Sequence, residues 1–269
     1  MEDMIQLLKF AVIGLVQGFT EPIPVSSSGH VMIASEILGM GEQGFTFAIL
    51  TNTASLLAIL YIYRGDLIRL LSNFFAYLRT KEQRYKADYQ FCWYIVAASI
   101  PAGVGGILLS DFIADAASMT TIAIMLFVTG IALYIIRNRR GSKNDADMTM
   151  KDAWIVGLGQ AIALTPGISR SGATIITGIA RGLSQVTAMR FSFMLYIPVS
   201  LGSIVIGISD FMDEPNKVDL ALPYTVAFIA TMIMTYFAFK WFMGIMKSGK
   251  LVYFTYYCFI VGTILLVAY

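Results

Sequence analysis

A lone histidine in 269 residues ends the run Glu21-Pro22-Ile23-Pro24-Val25-Ser26-Ser27-Ser28-Gly29-His30, inside an otherwise apolar stretch. A second polar run, Thr165-Pro166-Gly167-Ile168-Ser169-Arg170-Ser171-Gly172-Ala173-Thr174, interrupts another apolar stretch far downstream. Together they offer a carboxylate, an imidazole, a guanidinium and several hydroxyls. Ionisable groups at membrane depth are costly, so each is a functional-site candidate by default.

The spacing gives these groups roles. Gln17 and Glu21 are four apart and share a face if the first helix persists that far. Pro22 and Pro24 then end the helix, because proline lacks the amide donor and clashes with the preceding turn. Ser26–Gly29 restarts it, with Ser27 and His30 three apart on one face. Downstream, Pro166-Gly167 breaks a helix and Ser169–Gly172 opens the next. A helix N-terminus favours phosphate, Arg170 adds a planar donor fork, and Ser169, Ser171 and Thr174 add hydroxyls. That combination describes an oxyanion pocket. Beside it, a hydroxyl needs a base to become a good nucleophile, and imidazole is the usual one. Glu21 either orients or protonates that imidazole or handles the proton itself. Blander roles stand beside these: a hydrogen-bonded structural His30, Ser26 and Ser28 as close-packing residues, and Glu21 as an ion or proton site. Glu36, Arg181 and Arg190 read as interfacial.

The elements that must hold these groups are membrane helices. The chain is 57% hydrophobic and 13% charged, with mean hydropathy +0.72, against about 25% charged for a soluble domain. Apolar runs near the bilayer-spanning length of ~20 residues recur at about 45–63, 91–110, 119–137, 187–210, 221–243 and 250–268. A transmembrane barrel would show ~10-residue alternating segments instead. The net charge of +2 gives no case for nucleic acid. Cys92 and Cys258 fall within spans, so no disulfide framework is indicated. The opening Met1-Glu2-Asp3 lacks the basic region of a signal peptide, so the first apolar segment belongs to the fold.

Two segments, 4–19 and 152–164, are short and run into the polar breaks, which predicts re-entrant hairpins. Basic residues cluster after alternate spans: Arg64, Arg69, Arg79, Lys81, Arg84 and Lys86; then Arg137, Arg139, Arg140, Lys143 and Lys151; then Lys247 and Lys250. The opposite loops carry Asp111, Asp115, Asp210, Asp213, Glu214 and Asp219, with Lys217 the lone base. The positive-inside rule puts the basic set in the cytoplasm. This alternation holds if both hairpins return to their side of entry. Gly14-Leu15-Val16-Gln17 aligns with Gly157-Leu158-Gly159-Gln160, and at the same offset Ser26, Ser28 and Gly29 meet Ser169, Ser171 and Gly172. The hairpins enter from opposite sides, the signature of an inverted-topology duplication with its site near the midplane. The expected fold is therefore an all-α polytopic membrane protein, one integral domain over 1–269. It comprises two inverted-topology repeats (about 1–140 and 150–269), with two re-entrant helical hairpins plus six full transmembrane helices. A lipid or small-molecule transporter or flippase is the rival of another class. An ion channel finds no ring of acidic residues.

Gln17-Gly18-Phe19-Thr20-Glu21, followed by the run Pro24–His30, resembles the first motif of the bacterial undecaprenyl pyrophosphate phosphatases (the BacA/UppP family). Pro166–Thr174 resembles their second motif, and the tract from Arg190 to Pro198 is similar as well. The resemblance covers essentially the whole chain. It implies hydrolysis of undecaprenyl pyrophosphate to the monophosphate, recycling the lipid carrier for cell-wall glycans. It also implies a multi-pass protein of the bacterial cytoplasmic membrane whose site opens to the outer face. Glu21, Ser27, His30 and Arg170 then correspond to catalytic residues; Gln17, Ser26, Ser169, Ser171 and Thr174 bind substrate. Ser27 would attack the terminal phosphorus with His30 and Glu21 managing protons, water or His30 being the other candidate nucleophiles. Stimulation by a divalent cation (Mg or Ca) and a homodimer are further implications. Three departures stand out: Gln17 occupies a position that is often glutamate, Pro22 replaces an aromatic, and Asn52-Thr53-Ala54 replaces Gln-x-Gly. The first leaves Glu21 the only motif carboxylate, and no metal ligands are assigned.

Overall fold

The computed structural model describes residues 2–41, 44–109, 116–213 and 217–269. Asp111, Asp115 and Glu214 lie outside the described residues. The described chain is helical throughout: α1 (Glu2–Thr20), α2 (Ser27–Ile37), α3 (Phe45–Thr80), α4 (Lys86–Leu108), α5 (Met119–Ile136), α6 (Met150–Ile162), α7 (Arg170–Ala180), α8 (Gln185–Asp213), α9 (Lys217–Ser248) and α10 (Val252–Ala268). Six helices, α1, α3, α4, α5, α8 and α9, are long and apolar enough to cross a membrane. The chain is a polytopic membrane protein.

Six long helices were expected, but the set differs at both ends. α1 reaches 19 residues because the turn before Pro22 still closes, with the Glu21 N–H donating to the Gln17 carbonyl at 2.9 Å. The final apolar run yields only 17 residues, because Gly249 adopts a left-handed φ of 71° and α10 starts after that turn. α3 continues to Thr80, well past the apolar limit at Arg64. Its 36 residues extend about 54 Å, longer than the ~30 Å hydrocarbon core. Its far end is held against α4 by Phe74 stacked on Tyr89 and by Asn73 bonded to Asp88.

α1 packs along α9 and α6 along α4, while α5 lies against α10 and α3 beside α8. Two glycines permit the closest crossings. A Cβ on Gly14 would overlap the Ala227 backbone, and one on Gly157 would overlap the Ala98 backbone. α1 is thus received by α9, and α6 by α4. The centre is filled by aromatic pairs, Phe91 with Phe191 and Phe193 with Phe239. Large apolar side chains such as Ile68, Ile131, Ile233 and Ile260 stay exposed, as suits contact with lipid.

At one end, the segment between α5 and α6 is strapped to the turn between α7 and α8. Lys143 pairs through its backbone with Gly182 at 3.0 Å and Ser184 at 2.9 Å. Fully buried Asp152 accepts from Lys143 Nζ and Arg181 Nε, both at 2.9 Å, and from Thr149. Burial pushes the Asp152 carboxyl up, but the hydrogen bonds from Lys143, Thr149 and Arg181 outweigh it and hold it below the usual carboxylate range. Arg190 ion-pairs with Asp66 on α3 and with Asp145 in the segment between α5 and α6. Further along the bundle the breaks α1–α2 and α6–α7 meet. Gly29 and Gly167 both abut Ile122, in the first turn of α5, and Leu164 abuts Gly105, in the last turn of α4.

Candidate active site

Each break is shaped by proline and closed by a serine cap. After Pro22 and Pro24 the chain turns through Ser26, whose φ of 69° is uncommon for a residue with a side chain. Its Oγ then accepts the Gly29 N–H at 3.3 Å, opening α2. After Pro166 the turn runs through Gly167 (φ 90°), and Ser169 Oγ accepts the Gly172 N–H at 3.1 Å, opening α7. The two turns are stitched together: Ser169 and Ser171 donate to the Ile23 carbonyl at 3.4 and 3.2 Å.

Glu21 sits at the junction, 5% exposed. One carboxylate oxygen accepts from Ser27 Oγ at 2.5 Å and from Gln17 Nε2 at 2.9 Å. The other is ion-paired with the Arg170 guanidinium. Gln17 also reaches Asn52 Oδ1 at 3.3 Å. The Arg170 guanidinium carbon sits over the Tyr196 ring, 3.7 Å from its centroid, and the Tyr196 hydroxyl donates to the Asn52 carbonyl at 2.8 Å. A carboxylate and a guanidinium at this depth neutralise each other, and the remaining donors satisfy the lone pairs as burial requires.

These groups border a cavity of about 210 Å³. Glu21, Ser27, Ser169, Arg170 and Ser171 line it, joined by Ser28, Asn52, Tyr196, Ser200 and Ser203. A second cavity of about 230 Å³ shares Ser27, Ser28 and Asn52 and continues past Gln17 to Met32 and Phe47. A polar chamber with a partly apolar annex follows. First-turn amides of a helix lack intrahelical partners, so the starts of α2 and α7 add donors to the hydroxyls and Arg170. The chamber is built for an anion with several oxygens.

Of the nine residues expected, six border these cavities and three do not. Ser26 is the buried cap of α2. Thr174 Oγ1 bonds the Arg170 carbonyl at 2.9 Å and Ser192 Oγ at 2.5 Å, fastening α7 to α8. His30 lines neither cavity; its Nδ1 meets the Ser26 carbonyl at 2.8 Å and its Nε2 the Tyr257 hydroxyl at 2.7 Å. The partner of the Ser27 hydroxyl is Glu21, not the imidazole. Tyr196 was not expected at the site, although it stands in a tract already singled out; Asn52, in one of the three departures, lines both cavities, and Tyr257 bonds His30 without lining either. Among the described residues no group of three His, Cys, Asp or Glu gathers to hold a metal. Among the described residues Glu21 is the only carboxylate on either cavity and its oxygens are taken, so this donor set does not by itself make a resident divalent-ion site.

Comparison with known proteins gives a consistent picture. The family model described as bacitracin resistance protein BacA matches residues 10–264. Undecaprenyl-diphosphatase 1 of Bacillus cereus is 53% identical over 268 residues, covering 99% of each chain. Undecaprenyl-diphosphatase 1 of Bacillus licheniformis is 49% identical over 269 residues, covering 98% of this chain and 99% of that one. The undecaprenyl-diphosphatase of Oceanobacillus iheyensis is 49% identical over 270 residues.

Proposed function

The chain belongs to the bacitracin resistance protein BacA family, and from that premise we infer that it hydrolyses undecaprenyl diphosphate to undecaprenyl phosphate and inorganic phosphate. One observation carries the chemistry: the Ser27 hydroxyl is hydrogen-bonded to a carboxylate that is itself ion-paired with Arg170. Ser27 Oγ attacks the terminal phosphorus and its proton passes to Glu21. The bridging P–O bond breaks, Glu21 hands that proton to the departing undecaprenyl phosphate, and a phosphoserine remains. Water, deprotonated by the again ionised Glu21, attacks the phosphoserine phosphorus; the P–Oγ bond breaks and the proton returns to Ser27 Oγ as phosphate leaves. Arg170, Ser169, Ser171 and the first-turn amides of α2 and α7 bind the equatorial oxygens, where phosphoryl transfer needs most of its stabilisation. Gln17 and Tyr196 hold Glu21 and Arg170 in register. The prenyl tail leaves the polar chamber through the apolar annex bordered by Met32 and Phe47.

In this reading α1–α2 and α6–α7 are re-entrant hairpins of an inverted repeat. The paired glycine crossings, Gly14 on Ala227 and Gly157 on Ala98, support it, as do the matching serine caps. The cavity opens to the outer face of the membrane. Its breaks lie level with the last turn of α4 and the first turn of α5, whereas the basic loops and the Asp152 cluster occupy the far end. Translocation alone would not require the serine–carboxylate couple, which favours the phosphatase over the transporter.

The test is phosphate release from purified protein given a farnesyl or longer diphosphate in detergent. Turnover that Ser27→Ala and Arg170→Ala abolish supports the site. Wild-type turnover in either variant sinks it.

A further inference from the structure

We infer that Tyr257, on α10, is a positioning residue: its phenol fixes the His30 tautomer, and His30 in turn holds the Ser26 carbonyl that aims Ser27 at Glu21. The argument starts at the backbone. Ser26 lies in the left-handed region, a conformation that persists only where its surroundings over-determine it. Its carbonyl is gripped twice by His30, from the backbone N–H at 3.1 Å and from Nδ1 at 2.8 Å. A carbonyl only accepts, so Nδ1 carries the hydrogen. A neutral imidazole then presents a bare Nε2, and the Tyr257 hydroxyl donates to it at 2.7 Å. The two rings are stacked, with centroids 5.5 Å apart and planes 18° from parallel. With the Ser27 hydroxyl already on Glu21, the imidazole is left to shape the turn that presents the nucleophile. Tyr257, 227 positions along the chain, therefore acts through His30 and Ser26 without touching the cavity.

The single histidine makes this directly measurable. Histidine labelled with ¹⁵N in the ring contributes one Nδ1 and one Nε2 resonance in the full-length protein in micelles. The wild type is expected to show a protonated Nδ1 and a bare, hydrogen-bonded Nε2. Tyr257→Phe keeps the stacked ring and removes the donor. The Nε2 resonance is then expected to move, with the second tautomer appearing, and kcat to fall about tenfold, the scale of one lost hydrogen bond, at near-constant KM. Tyr256→Phe, the exposed neighbour, is expected to change neither. A wild-type imidazole protonated on Nε2 overturns the inference, as does a Tyr257→Phe protein with unchanged resonances and kcat. The kinetic arm rests on the phosphatase reading. If the wild type released no phosphate, that reading would fail while the resonances still judged the tyrosine.

Discussion

Three donors converge on the Glu21 carboxylate: Ser27, Gln17 and Arg170. Residues that act as one device do not contribute independently, so their losses fail to multiply. Glu21→Gln and Ser27→Ala are each expected to lower kcat by about 10³-fold. The double variant should fall no further than the worse single, by steady-state phosphate release; multiplied losses would separate the two residues. Arg170→Lys keeps the charge but loses the planar fork and the stacking on Tyr196, so a loss of about 10²-fold is expected. Glu21, Ser27 and Arg170 were legible in the sequence because a charge or hydroxyl cluster in an apolar run demands a reason. Tyr257 was not. It is one of 14 tyrosines, and tyrosine in a membrane helix ordinarily marks an interface. Nor did the three-residue spacing of Ser27 and His30 reveal that α2's opening turn directs the imidazole back to Ser26.

The two breaks carry the geometry at the scale of elements. Gly167 needs both its left-handed φ and its missing side chain, since a Cβ there would lie 2.8 Å from the Ile122 Cα. Gly167→Ala is expected to destabilise the protein by about 2 kcal/mol or more, from backbone strain and overpacking together. A lowered melting temperature in detergent would register it, and an unchanged one would mean that the break relaxes freely. Both breaks were readable in advance, because proline stops a helix by mechanism. The length of α3 was not, since hydropathy reports where an apolar run ends, not where hydrogen bonding does. The packing of α3 against α4 at Phe74, Tyr89 and Trp93 keeps its basic end helical.

Across the whole molecule, the candidate site and the Asp152 strap lie at opposite ends of α6. Asp152 and Ala163 are separated by about 16 Å along α6, so Asp152→Ala should untie the strap without disturbing the cavity. It strands Lys143 and Arg181, but each side chain keeps about a third of its exposure. A destabilisation of about 2–3 kcal/mol is therefore expected, below that of a fully buried pair. Thermal unfolding should register the loss, while kcat well below the melting temperature stays within twofold. The same separation underlies the orientation we propose: with the basic loops in the cytoplasm, the cavity faces outward. Ser203 lines it from α8, and Ser203→Cys should react with a membrane-impermeant maleimide on intact cells but not on inside-out vesicles. The parent protein sets the background, since Cys258 is buried and Cys92 half-buried. Inorganic pyrophosphate should slow the labelling by occupying the chamber. Labelling confined to inside-out vesicles would reverse the orientation and make this enzyme a consumer of diphosphate from the cytoplasmic leaflet.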